Sequence, residues 1–145
     1  MNDPTTVHIL LVEDDAIDAR AVLRGLRKGH IGNETTVAKD GIEALQCLRG
    51  EEGRTRIPRP YLILLDLNMP RMNGLEFLQE IREDPELENS IVFVLTTSDD
   101  DRDIVAAYGN HVAGYVLKSE AGDDFLKLVQ MLEKFVITVH FPPDG

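Results

Sequence analysis

The sequence predicts one α/β domain of the doubly wound class, in which helices cover both faces of a parallel sheet. Three observations point to this fold. Short apolar runs alternate with segments whose apolar residues recur every three or four positions. Two of the runs, YLILL and IVFVL, are almost wholly apolar, which is typical of central parallel strands covered on both sides. The length of 145 residues is that of one ordinary domain, which can bury a core without a disulfide or a metal.

Five strands and five helices are predicted, in the order βαβαβαβαβα. The strands are expected at 7–12, 35–38, 61–65, 91–95 and 114–117. Each helix is predicted from an apolar stripe along one face. The stripes are Ala19, Val22, Leu23 and Leu26; Ile42, Leu45 and Leu48; Gly74, Phe77, Leu78 and Ile81; Ile104, Ala107 and Tyr108; and Phe125, Leu128, Val129, Leu132, Phe135 and Val136. The longest connection, 50–60, has two prolines and mixed charges and is predicted to be a surface loop.

The charge balance argues against two classes of partner. Fifteen Lys and Arg residues stand against 26 Asp and Glu residues, giving a net charge of −11 without a local basic patch. Phosphate backbones and anionic lipid surfaces would repel such a chain, so neither nucleic acid nor membrane binding is expected. No segment approaches the roughly 18 apolar residues of a membrane span, and the segment MNDPTTVHILLVEDD has neither a cationic start nor a long apolar run. We therefore expect a cytoplasmic protein, in which the single Cys47 forms no internal disulfide.

Polar residues follow four of the five predicted strands. In doubly wound sheets, ligands bind beyond the carboxyl ends of the strands, and these ends share one edge of the sheet. The polar residues at these positions are Glu13, Asp14, Asp15, Asp66, Thr96, Thr97 and Lys118. The fold therefore predicts that groups far apart in the sequence converge at one site.

Carboxylates brought together at this edge need a cation. A pair of like charges at 4 Å repels by about 4 kcal/mol at an effective dielectric of about 20. Carboxylate oxygens suit Mg²⁺, with Asp14 and Asp66 as direct ligands. A carboxylate beside Mg²⁺ can also act as nucleophile towards a phosphoryl group, forming an aspartyl phosphate whose oxygens Lys118 and Thr96 would hold.

Each of these residues also has an ordinary structural interpretation. Asp14 and Asp15 could cap the first helix, with Asp18 completing a pair of capping residues, and Asp15 is interpreted as the cap. A cap does not explain Asp66, because a carboxylate that ends an apolar strand is partly desolvated. Taken singly, Lys118 is typical of a solvated lysine and Thr96 of a strand residue. Only their convergence with the acidic residues indicates a site.

Four segments resemble the receiver domain of two-component response regulators. They are ILLVEDD, LILLDLNMPRMNGLEFL, VLTT and GYVLKS, and the resemblance runs from about His8 to Phe135. It implies a flavodoxin-like (βα)5 three-layer sandwich with a five-stranded parallel sheet. It also implies a phosphoacceptor that assists its own phosphorylation and dephosphorylation and is not a turnover enzyme. The roles it implies are Asp66 as phosphoacceptor; Asp14, Asp66, the Asn68 carbonyl and, through water, Glu13 as Mg²⁺ ligands; Thr96 and Tyr115 as switch residues; and Lys118 as phosphate-binding lysine.

One departure and three finer similarities refine the resemblance. Most receivers follow the lysine with a cis proline, whereas this chain has Ser119, so the loop after the fifth strand should differ. The KS pair, the PRPYLILLDLNMP segment and the VLTTS segment are similar to the single-domain regulators of bacterial phytochrome histidine kinases. A phytochrome-type sensor histidine kinase is therefore the expected partner. The alternative is a phosphotransfer intermediate or an adaptor for another sensory kinase.

We expect residues 1–145 to form a single receiver domain, with a core at about 7–137 and a C-terminal extension at 138–145. This leaves no room for an output domain, so output would be a protein contact or onward phosphotransfer. Ile137, Val139 and Phe141 alternate with polar residues in the tail, and Leu126 and Met131 lie off the main stripe of the fifth helix. The fifth helix and the tail are therefore predicted to form a homodimer interface, unless the tail folds back on its own domain.

Other site chemistries fit less well. A flavodoxin-like FMN carrier would bind its phosphate after the first strand, where EDDAID would repel it. A phosphatase of the haloacid dehalogenase type places a second carboxylate where this chain has Asn68. The sequence contains no P-loop, and Ile104 stands where an EF-hand starting at Asp99 needs glycine. The four histidines lack the spacing of a zinc site.

Overall fold

A computed structural model describes residues 7–28, 34–67, 72–96, 109 and 111–117. These residues form five strands and three helices. In chain order they are β1 (His8–Val12), α1 (Ala16–Lys28), β2 (Thr35–Ala38), α2 (Gly41–Arg49), β3 (Tyr61–Asp66), α3 (Gly74–Glu83), β4 (Ile91–Thr96) and β5 (Gly114–Leu117). The predicted fourth and fifth helices and the 138–145 tail lie outside the described residues. Within those residues no helix is both long and apolar enough to cross a membrane.

All five strands pair in parallel in one sheet, in the order β2-β1-β3-β4-β5. The predicted doubly wound fold with a five-stranded parallel sheet is thereby confirmed. The chain reverses its direction of travel across the sheet between β1 and β3, which is where this fold class forms its ligand crevice. The register places Val12 beside Leu65, so the ends of β1 and β3 are level with each other.

The core lies between the sheet and its helices. Every residue of β1 and β3 is buried, as expected for strands covered on both faces. The stripe predicted for α3 is the face that it buries: Gly74, Phe77, Leu78 and Ile81. In α2 the buried face is broader than predicted, because Ala44 and Cys47 join the stripe while Ile42 is only partly buried.

The connection before β3 is a surface loop, as predicted, with one apolar anchor. Residues 51–56 are exposed, whereas Ile57 is 5% exposed and belongs to the core. The backbone N–H of Ile57 donates to the carbonyl of Cys47 at 3.0 Å. This contact fixes the loop against α2 before the chain enters β3.

Candidate functional site

Three carboxylates meet where β1 and β3 end. Glu13 and Asp14 directly follow β1, and Asp66 is the last residue of β3. One carboxylate oxygen from each of these residues lies within 4.8 Å of the other two. Glu13 and Asp66 are 2% and 1% exposed, whereas Asp14 faces solvent. We call these three residues the acidic cluster; the sequence predicted that they would converge.

Backbone contacts hold the β1 side of the cluster. The N–H of Glu13 donates to the carbonyl of Ala38 at 2.9 Å, which extends the β1–β2 pairing by one residue. A carboxylate oxygen of Glu13, Oε1, accepts the N–H of Asp15 at 3.2 Å. Asp15 in turn accepts the N–H groups of Ile17 and Asp18 at 2.8 and 3.0 Å through Oδ1. Asp15 is therefore the cap of α1, as predicted.

Hydrogen bonds fix Leu67 and Met72, two described residues of the connection between β3 and α3. The N–H of Gly74 donates to the carbonyl of Leu67 at 3.0 Å, which closes the connection directly after Asp66. The N–H of Gly41 donates to the carbonyl of Met72 at 3.2 Å, so the start of α2 supports the same connection. The residue after Asp66 is thus fixed to the start of α3, and the start of α2 is fixed to Met72.

Two helix starts beside the site have capping residues that were not predicted above. Asn73 caps α3 by accepting the N–H of Glu76 at 2.9 Å, and the Glu76 carboxylate accepts the N–H of Asn73 at 3.2 Å. Asp40, which is 2% exposed, caps α2 by accepting the N–H of Glu43 at 2.8 Å. The sequences NGLE and DGIE are capping patterns that could have located both helix starts.

The donor set of the acidic cluster fits a hard divalent cation. Carboxylate oxygens are the ligands that Mg²⁺ and Mn²⁺ prefer, and a pocket with one open, solvated side leaves room for water and phosphate oxygens. Asp14 supplies that open side, while Glu13 and Asp66 are held in the fold. The arrangement can therefore bind a cation next to a buried carboxylate.

The structure describes only part of the remaining predicted site. Thr96 ends β4 beside Leu117 of β5, and Asp66 lies opposite Leu95, so the ends of β3, β4 and β5 are adjacent. The backbone of Tyr115 lies in β5, opposite Val94. The side chains of Thr96 and Tyr115, together with Asn68, Lys118 and Ser119, lie outside the described residues.

The fold and the site define a class of protein, and comparison with known families gives the same class. The family model described as the response regulator receiver domain matches residues 9–130. The chain belongs to this family, whose members are the phosphoacceptor domains of two-component signalling and in general not turnover enzymes.

Individual relatives are response regulators as well. The chain is 42% identical over 135 residues to the response regulator Rcp1 of Synechocystis, and the match covers 92% of each chain. The phosphorylated cyanobacterial phytochrome response regulator RcpA is 37% identical, with a TM-score of 0.78 and coverage of 94% of this chain and 97% of RcpA. The bacteriophytochrome response regulator AtBRR is 34% identical, with a TM-score of 0.77 and the same two coverages. Rcp1 has also been solved in a Mn²⁺-bound form.

Proposed function

We propose that this protein accepts a phosphoryl group on Asp66 from the phosphohistidine of a sensor histidine kinase. The bond between phosphorus and the histidine nitrogen breaks as a bond from phosphorus to an Asp66 carboxylate oxygen forms, and the imidazole leaves. The observation that carries the proposal is the position of Asp66, a buried carboxylate at the end of β3 within 4.8 Å of two further carboxylates.

The acidic cluster would bind the metal ion that this transfer needs. Asp14, Asp66 and the Asn68 carbonyl are the proposed direct Mg²⁺ ligands, and Glu13 is the proposed ligand through water. Mg²⁺ would cancel the repulsion between the carboxylates and the incoming phosphoryl oxygens. The cluster alone is compatible with divalent cations in general, and the choice of Mg²⁺ is part of the proposal.

The phosphoryl group would then shift a conformational equilibrium. Lys118 and Thr96 would hold its oxygens, and Tyr115 would turn inwards as Thr96 moves towards the phosphate. The added charge favours one of two surface states, so the response is a change of population. Thr96→Ala should still be phosphorylated but respond weakly.

The partner we propose is a histidine kinase of the bacterial phytochrome type. Similarity to RcpA and AtBRR, whose names identify them as phytochrome and bacteriophytochrome response regulators, supports this choice. The competing possibility is an adaptor or phosphotransfer intermediate for another sensory kinase. Transfer rates from a phosphorylated phytochrome-type kinase and from an unrelated kinase would separate the two, since a cognate pair should transfer much faster.

We also propose that residues 1–145 act as one receiver domain that pairs with a second copy through its fifth helix and tail. The reason is the set of apolar residues that one helical face cannot bury, among them Leu126 and Met131. Light scattering at micromolar concentration, with and without a phosphoryl mimic, tests the assembly. A monomeric mass in both conditions would refute it.

The decisive experiment for Asp66 is intact mass spectrometry after incubation with a small phosphodonor, with and without Mg²⁺. We expect one phosphoryl increment that requires the metal and disappears in Asp66→Asn. Asp15→Asn is the matched control, because Asp15 lies next to the cluster but caps α1, a role that asparagine retains. An increment that persists in Asp66→Asn, or none in the folded wild type, would contradict the proposal.

A further inference from the structure

Arg82, in the last turn of α3, joins the residues that lead into β4 and β5. Its Nη1 donates to the carbonyls of Ser90 and Glu88, both at 2.8 Å. Its Nη2 donates to the carbonyl of His111. Ser90 directly precedes β4, and His111 precedes β5 by a short segment. One guanidinium therefore bridges the starts of two neighbouring strands.

A cleft separates these two segments at this end of the sheet. A cleft of about 420 Å³ lies between residues 88–92 and 111–113, with Arg82 in its lining. Across it, the N–H of Ala113 donates to the carbonyl of Val92 at 2.7 Å, which is where the β4–β5 pairing begins. Arg82 spans the part of the cleft that precedes this bond.

The surroundings of Arg82 indicate that its guanidinium holds backbone groups in place. The side chain is partly buried, and burial lowers the pKa of its guanidinium. Among the described residues its hydrogen-bond partners are backbone carbonyls, and none of the ion pairs involves it. A charge that only needed solvation would extend into water. The guanidinium instead gives up hydration for three carbonyls whose positions it fixes together.

Such a bridge can control where β5 lies along β4. β5 is the edge strand next to β4, and it pairs with β4 through four residues. A slip of one residue would move the strand by about 3.3 Å and turn its side chains to the opposite face. Leu117 lies beside Thr96 in the present register, and Lys118 follows it directly.

We propose that Arg82 is a positioning residue that fixes the register of β5 on β4 and so places Tyr115 and Lys118 relative to Asp66. It acts from the opposite end of the sheet, roughly 17 Å from the end of β4 if each of its residues advances the chain by about 3.3 Å. The functional readout of this inference rests on the proposed phosphoryl transfer to Asp66.

The test compares the wild type with Arg82→Lys and Arg82→Gln. Lysine keeps the charge, but its single nitrogen cannot occupy both positions of the guanidinium fork. Both variants should accept a phosphoryl group from a small phosphodonor about tenfold or more slowly, since a misplacement of about 1 Å can cost a hundredfold. Their Mg²⁺ affinity should stay within about twofold of the wild type, because the acidic cluster lies at the ends of β1 and β3.

A second readout tests the register directly and does not depend on phosphorylation. Hydrogen exchange of the Ala113 amide should become much faster in the Arg82 variants than exchange in β1, because the three carbonyls that Arg82 binds lie in the segments before β4 and β5. A merely structural role would speed exchange in both strands to the same degree. Nuclear Overhauser contacts between Val94 and Tyr115 should weaken in the variants if the register has changed.

Arg49→Gln is the matched control. Arg49 lies in the last turn of α2, is partly buried, and pairs with the carboxylates of Asp84 at 3.0 Å and Glu80 at 3.6 Å, on and directly after α3. It should keep the wild-type transfer rate. Folded Arg82 variants with wild-type transfer and wild-type exchange at Ala113, or an equal loss in Arg49→Gln, would overturn the inference. If the wild type itself gains no phosphoryl group, the proposed function fails, and the exchange experiment still decides the role of Arg82.

Discussion

Gly74 lies close against the backbone of Asp66, the residue that ends β3. A Cβ atom placed on Gly74 would lie 2.8 Å from the carbonyl oxygen of Asp66 and 2.6 Å from the Cα of Leu67. Both distances are well below an ordinary van der Waals contact, and neither neighbour is a flexible side chain. The first residue of α3 must therefore be glycine if the connection after Asp66 is to close as it does.

Gly74→Ala should destabilise the protein and disturb the acidic cluster. Making room for the methyl group requires the backbone after β3 to move, at a cost of about 3 kcal/mol in the free energy of unfolding. Because Asp66 would move with it, the affinity for Mn²⁺ should fall too. Urea unfolding and a Mn²⁺ titration measure the two effects.

Gly53→Ala is the control for this prediction. Gly53 has a φ of +76° but nothing within 4 Å of an added Cβ, so alanine there costs only about 1 kcal/mol of backbone strain. Its metal affinity should equal that of the wild type. Similar losses of stability in the two alanine variants would show that the close approach of Gly74 is unimportant.

The effect of Asp66→Asn on stability should depend on metal. Without metal, the substitution removes a charge that lies within 4.8 Å of two like charges, and it should raise the stability by about 1 to 2 kcal/mol. With metal at a hundred times the dissociation constant, the wild type gains about 2.7 kcal/mol and should overtake the variant.

Melting temperatures measured with a chelator and with excess Mg²⁺ test this reversal. Asp15→Asn, next to the cluster but outside it, should leave the metal-induced shift unchanged. A wild type that melts at the same temperature in both buffers would contradict the prediction, because bound metal must stabilise the state that binds it.

Much of the fold could be predicted from the sequence because its signals are local. The runs YLILL and IVFVL are apolar because both of their faces are covered, and β3 and β4 are found within one residue of the predicted ends. The convergence of Glu13, Asp14 and Asp66 followed from the geometry of parallel sheets, which brings the carboxyl ends of strands together.

The features that could not be predicted depend on which parts of the chain approach one another. Gly74 is an ordinary helix-start residue until its distance to Asp66 is known. Arg82 has the sequence signature of a solvated cation at a helix end, yet its donors bind carbonyls of two other segments. Ile57 stands in a polar loop, and only the folded chain shows that it reaches the core.

Asp15→Ala should cost about 1 kcal/mol of stability through the loss of a helix cap. The Asp15 carboxylate accepts two N–H groups at the start of α1, and alanine leaves both without this acceptor. Asp15→Asn should retain most of the stability. Ile17→Ala, at a side chain that is 76% exposed, should change it by less than about 0.5 kcal/mol. Chemical denaturation of the three variants gives the comparison, and equal losses in both Asp15 variants would refute the capping role.

His8 should make the stability of the fold depend on pH. It is 8% exposed, and its Nε2 hydrogen bonds with Oγ1 of Thr36 at 2.8 Å. Burial lowers the pKa of His8 below its ordinary 6.5, and the nearby Glu34 carboxylate offsets part of this effect. Below pH 6.5 the unfolded chain therefore takes up a proton more readily than the folded one. The contribution of the neutral His8 side chain to the free energy of unfolding is therefore fully present above pH 6.5. It is lost as the pH falls through the lowered pKa of the folded state.

The wild type should accordingly lose stability relative to His8→Gln when the pH is lowered from about 7 to about 5. Glutamine can still hydrogen bond with Thr36 but does not titrate, so the difference in unfolding free energy between the two proteins isolates the histidine. Urea unfolding at several pH values gives this difference. A difference that is independent of pH would mean that His8 has the same pKa in the folded and the unfolded chain, because only a pKa that changes on folding couples stability to pH.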